Sequence, residues 1–107
     1  MTRALLLAIA LLIALPCAAA EKGDAAAGKF KVYTCAGCHG IVGWHNAYPN
    51  YHVPKIGGQN YEYLVAALNA YKKGERSHPT MRAQGESLSD EDIRDIATYL
   101  SGLTPAP

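Results

Sequence analysis

Cys35-Ala36-Gly37-Cys38-His39 restricts this chain more than any other feature. Two cysteines three positions apart, followed at once by histidine, form the C-x-x-C-H pattern of covalent haem attachment. Two thiols at this spacing match the two vinyl groups across which they add as thioethers. The adjoining histidine reaches the iron from the same side. The small residues Ala36 and Gly37 let the backbone lie against the porphyrin edge. Three other uses of the cysteines are open at this point. A thioredoxin-like redox pair needs a βαβ context, which the sequence lacks. A structural zinc site needs four ligands, which Cys35, Cys38 and two histidines just supply. A disulfide across the motif is the third.

The start of the chain bears on the choice. Met1-Thr2-Arg3 is basic, Ala4 to Leu15 is an unbroken apolar run, and Pro16-Cys17-Ala18-Ala19-Ala20 ends on small residues. This is the layout of a secretory signal peptide, with cleavage expected before Glu21. The run is too short to cross a bilayer, which takes about 20 residues. A lipoprotein reading centred on Cys17 is the alternative, but Leu15-Pro16 does not resemble a lipobox. The expected division is a signal peptide over 1–20 and one monohaem domain over 21–107. An exported chain suits the motif, because haem is attached to such thiols outside the cytoplasm.

Removing the leader takes Arg3 and no acid, so ten basic residues against nine acidic become an even balance. Nucleic-acid binding, which needs a basic surplus, is not supported. Only Cys35 and Cys38 of the three cysteines remain. A domain of this size buries roughly 60% of its surface and commonly needs a staple. A large buried cofactor would serve as one.

Three helices are expected. Asp24 caps the first, Ala25 to Cys35, in which Phe30 and Tyr33 share a face. Asn60 caps the second, Tyr61 to Lys73, with Leu64, Leu68 and Tyr71 at helical spacing and Gly74 at its end. Ser89 caps the last, with Asp90, Glu91 and Asp92 in its first turn and a stripe of Ile93, Ile96, Ala97 and Leu100 closed by Gly102. Cys35 to Lys55 and Glu75 to Ser87 read as loops, the second because it contains Pro79 and Gly85. Loops of that length in a small domain need something to pack on.

The second axial ligand of the iron is expected to be Met81, the only methionine after the leader. It stands in a polar, Pro-containing stretch where it has little reason to be core. Its thioether is a soft neutral ligand that favours ferrous iron and raises the potential. His78 is the rival and would give a lower-potential bis-histidine site. His45 and His52 read as solvated surface residues.

These segments, in order, resemble class I c-type cytochromes, especially the bacterial c553/c4-like group. The resemblance runs through Gly23 to Lys29, Cys35 to Gly40, Pro54-Lys55-Ile56-Gly57-Gly58-Gln59, Tyr63-Leu64, Gly74-Glu75-Arg76, Met81, Leu88 to Ile93 and Ala97 to Leu100. It implies a small all-α class I cytochrome c fold, three main helices and long loops around one covalent haem c. It implies that the first and last helices cross, with Gly28 allowing close approach near Tyr99. It also implies that the Pro54 carbonyl accepts a hydrogen bond from His39 Nδ1, which makes the ring a better ligand. The stretch Ile41 to Val53 departs from shorter family forms and is unusually aromatic, with Trp44, Tyr48 and Tyr51. These wall the haem or face a partner. Gln59 and Arg76 are candidates to approach a haem propionate.

With Cys35 and Cys38 as attachment points and His39 and Met81 as axial ligands, the iron has no open position for substrate. The expected function is one-electron transfer between periplasmic or membrane-bound redox proteins, with no enzymatic activity and no stable membrane insertion after leader cleavage. An electron-transfer subunit of a dehydrogenase or oxidase is the second class, and a ligand-binding haem sensor or peroxidase the third. Lys29, Lys31, Lys55, Lys72, Lys73, Arg76 and Arg82 would surround the exposed haem edge, opposite Asp90, Glu91, Asp92 and Asp95. Such a charge dipole would orient encounters; an ordinary mixed surface is the alternative.

Overall fold

The computed structural model describes residues 21–41 and 52–105. The expected leader, with Cys17, and the aromatic stretch with Trp44, His45, Tyr48 and Tyr51 lie outside the described residues. Five helices follow in order: α1 Ala25–Lys31, α2 Tyr33–His39, α3 Tyr61–Lys73, α4 Pro79–Glu86 and α5 Asp90–Ser101. No strand occurs among the described residues. The expected all-α class stands, with two more helices than the sequence pattern indicated.

The caps read from sequence are in place. Asp24 accepts the N–H groups of Ala26 and Ala27, at 2.8 and 3.3 Å. Asn60 accepts that of Tyr63 at 2.9 Å. Ser89 and Asp92 form a reciprocal capping box, each side chain taking the other's N–H. Such caps satisfy donors that a helix start leaves unpaired.

The first helix differs from expectation. It turns at Val32 and resumes as α2 through the whole Cys-Ala-Gly-Cys-His motif, ending at Gly40 in a left-handed conformation. The buried stripe is Gly28, Val32, Ala36 and His39. Phe30 and Tyr33 do share a face, but it is the outer one, and each is 78% exposed.

The fourth helix was hidden by Pro79 and Gly85. Pro79 stands at the first helical position, where its missing N–H costs nothing. Gly85 is where α4 crosses α3; a Cβ there would lie 2.8 Å from Lys72 N and 3.2 Å from Leu68 O. The residue is glycine because two backbones touch.

Helix α5 packs against both α1 and α3, while α4 packs on α3. Its expected stripe is buried: Ile93, Ile96, Ala97 and Leu100 are at most 1% exposed. Burying an isoleucine or leucine contributes about 1.5–3 kcal/mol. Val32, Ala36, Ile41, Tyr61 and Leu64 are buried with that stripe. At the α1–α5 crossing a Cβ on Gly28 would collide with the Asp95 carbonyl and approach Tyr99 Cβ to 2.9 Å.

Several helix charges are paired, most of them across interfaces. Lys31 Nζ reaches Asp92 at 2.8 Å and Asp95 at 2.6 Å, and Lys72 Nζ reaches Asp90 at 3.1 Å. Arg82 meets Glu86 within α4 at 2.8 Å. Asp95 is buried. Lys31 and Asp95 therefore serve the α1–α5 contact and are not members of two separated surface poles. No helix among the described residues is long and apolar enough to cross a membrane.

Candidate haem site

Helix α2 carries the reactive groups. Cys35, Cys38 and His39 stand at i, i+3 and i+4, so they share one helix face. That face turns toward a largely apolar cavity of about 330 Å³. Val53, Pro54 and Ile56 line it from the segment before α3. Leu64, Ala67, Leu68 and Tyr71 line it from α3, and Ile96 and Leu100 from α5. Thr80, Met81 and Gln84 enter from α4. Helices α2 and α4 do not pack on each other. Each brings its donors to the cavity independently.

The expected site residues therefore converge. Cys35, Cys38, His39, Pro54 and Met81 all line one cavity, as do His52, His78, Gln59 and Arg76. His52 is exposed, as expected, yet sits at the cavity mouth. Met81 arrives on the first turn of a helix and not on the loop anticipated for it.

His39 is 9% exposed, and its Nδ1 lies 2.6 Å from the Pro54 carbonyl oxygen. A carbonyl only accepts, so Nδ1 carries the proton and donates. The lone pair is then on Nε2, where a metal would take it. The ring orientation and the tautomer are set by one contact.

Cys35 is half-buried and Cys38 exposed, and no disulfide joins them. Burial pushes the Cys35 thiol above its ordinary value of 9.0, against a smaller opposing effect from Thr34, whose Oγ1 lies 3.9 Å away. Among the described residues no group of three or more His, Cys, Asp or Glu side chains is arranged to hold a metal ion, so the four donors of a structural zinc site are not assembled there. The donor set suits haem: two thiols and an imidazole on one helix face, a thioether from another helix, and apolar walls between.

Sequence reading missed Thr34, Ala67 and Gln84 as lining residues, and it gave Tyr71 only a packing role. Tyr71 stands at the cavity with Arg76 over its ring, the guanidinium carbon 4.8 Å from the centroid. Helical spacing from Leu64 and Leu68 was the available signal for Tyr71. Gln84 had none, because its helix was not anticipated.

The cytochrome c family matches residues 25–104. The chain is 45% identical over 82 residues to cytochrome c-554(548) of Halomonas halodenitrificans, covering 74% of this chain and 95% of that protein. It is 38% identical over 97 residues to cytochrome c4 of Pseudomonas aeruginosa, covering 91% of this chain but 47% of the relative. It is 32% identical over 77 residues to the cytochrome subunit of sulfide dehydrogenase of Chlorobaculum tepidum, covering 72% and 66%. The chain thus spans nearly the whole of the first relative and about half of the second. It belongs to the cytochrome c family. It carries covalently attached haem c with its iron, acts as an electron carrier and not as an enzyme, and has redox proteins as partners.

Proposed function

We propose that this chain is a monohaem periplasmic electron carrier, with Cys35 and Cys38 as the thioether attachment points and His39 and Met81 as axial ligands. The haem supplies a one-electron iron couple when bound. The observation that carries the reading is the convergence of His39 and Met81, from helices that do not touch, on the cavity that also holds both thiols.

The residues then divide the work. Pro54 holds the His39 ring so that Nε2 is presented as the donor. Met81 would hold the haem from the α4 side of the cavity and would keep small ligands out. A neutral sulfur donor stabilises ferrous over ferric iron and sets a high potential. Leu64, Leu68, Ile96 and Leu100 exclude water from the cavity wall, which lowers the dielectric around a changing charge. Two protein ligands that stay in place would let the bound haem exchange an electron with little rearrangement of the chain. Residues 1–20 are read as the export signal, so the mature chain begins at Glu21.

The test is spectroscopic. The oxidised protein should have the weak sulfur-to-iron charge-transfer band, and Met81→Ala should abolish it and lower the potential. An unchanged spectrum and potential in that variant would remove Met81 from the site. A second reading is favoured by the relative named as a sulfide dehydrogenase cytochrome subunit: this chain would work as the electron-transfer subunit of a larger dehydrogenase. Co-purification of a large subunit with the native protein separates that reading from a free carrier.

A further inference from the structure

Met81 is the third residue of α4, and its backbone N–H donates to Nδ1 of His78, 3.2 Å away. His78 is the N-cap of that helix, with an extended backbone. Ser, Thr, Asp and Asn are the usual residues there, and histidine is not among them. The His78 ring is also placed by a neighbour. It meets Tyr71 of α3 edge-on, with ring centroids 6.4 Å apart and planes at 75°.

An eight-residue helix does not hold itself in water, so α4 depends on what fixes its ends. Its C-terminal part is fixed at Gly85 against α3. Its N-terminal turn, which carries Met81, is fixed by the His78 cap. Accepting the Met81 N–H requires the proton of a neutral His78 ring to be on Nε2. The contact with Tyr71 keeps Nδ1 directed at that N–H.

We propose that His78 is a positioning residue for Met81: by capping α4 from a ring braced on Tyr71, it holds the methionine at the cavity and so governs how firmly the sulfur stays on ferric iron. The role rests on the reading of Met81 as an axial ligand. It gives His78 a task different from that of rival ligand, since its Nδ1 is engaged by the backbone of the residue it supports.

The experiment uses the oxidised holoprotein and titrates it with imidazole, which competes with the methionine. The sulfur-to-iron band is followed well below the global melting temperature. His78→Ala should raise imidazole affinity about fivefold, the loss expected of one helix cap. His78→Asn, which restores a capping acceptor, should recover most of the wild-type resistance. Helix content and haem content of both variants establish that they are folded. Imidazole affinity in H78A equal to wild type, or no recovery in H78N, overturns the positioning role. Met81→Ala run beside them separates the two ideas: a band that survives in M81A overturns the ligand reading itself. A band lost in M81A but equally resistant in H78A and wild type overturns only the role of His78.

Discussion

Lys31 Nζ lies 2.6 Å from Asp95 Oδ2 and 2.8 Å from Asp92 Oδ1, tying α1 to successive turns of α5. Asp95 also accepts the backbone N–H of Asp24 at 2.7 Å. The Lys31 ammonium holds both carboxyls below their ordinary value of 3.8, and together with the hydrogen bonds from Ser89 it brings Asp92 down to about 2. The two acids in turn raise Lys31 above 10.5, with Asp92 the larger cause. A depressed carboxyl contributes stability that is present above its unfolded value and lost as pH falls through its folded one. The lysine contribution is present below 10.5 and is lost only as pH rises past that value. The melting temperature should therefore be level near neutrality and fall as pH drops from 3.8 toward about 2. An Asp92→Asn, Asp95→Asn double variant should show a shallower acid fall in thermal denaturation against pH. Superimposable acid limbs would contradict the assignment. At neutral pH, Asp95→Ala should cost about 1–3 kcal/mol, because the Asp24 N–H loses its acceptor.

The α1–α5 crossing makes a second prediction. An alanine at Gly28 would set its Cβ against the Asp95 carbonyl, which is backbone and cannot rotate aside. Gly28→Ala should destabilise by about 1–3 kcal/mol, as overpacking does. Gly37 is a helical glycine, and among the described residues no atom lies within 4 Å of a Cβ placed there. Gly37→Ala should be neutral or stabilise by up to about 1 kcal/mol. Denaturant unfolding of the pair measures the contrast, and equal effects would show the crossing to be looser than described.

Gly85 should matter to the ligand as well as to the fold. A Cβ at 2.8 Å from Lys72 N pushes α4 away from α3, and Met81 moves with it. In Gly85→Ala the sulfur-to-iron band should disappear on heating well before the helices melt. Coincident loss of the band and of the helical circular dichroism would mean that α4 position and ligation are not linked in this way.

The two thiols can be tested without spectroscopy of the iron. In a Cys35→Ala, Cys38→Ala double variant, haem should pass into acid–acetone, while each single variant should retain it through the remaining thioether. Haem that resists extraction from the double variant would contradict attachment at these cysteines.

Local chemistry made much of this protein legible. The Cys35 to His39 motif named the cofactor, and the comparisons bear that out. Asp24, Asn60 and Ser89 marked three helix starts because a cap acts within three residues of itself. The Ile93 to Leu100 stripe marked the core because helical period is a property of neighbours in sequence. The His39–Pro54 contact spans 15 residues and came from resemblance, since neither residue's local pattern implies the other.

Tertiary structure decided the rest. Pro79 and Gly85 argue for a loop on propensity alone. They belong to a helix because one sits where no N–H is needed and the other where α3 comes too close for a side chain. Lys31 and Asp95 look like ordinary surface charges until α1 and α5 cross. Phe30 and Tyr33 share a helix face in sequence, and only the packing shows that the opposite face, Gly28 to His39, is the buried one. The sequence by itself determined which groups this protein has for its haem. Only the packing of α4 on α3 and of α5 on α1 determined where they meet, because those contacts join residues far apart in the chain whose energies no local pattern contains.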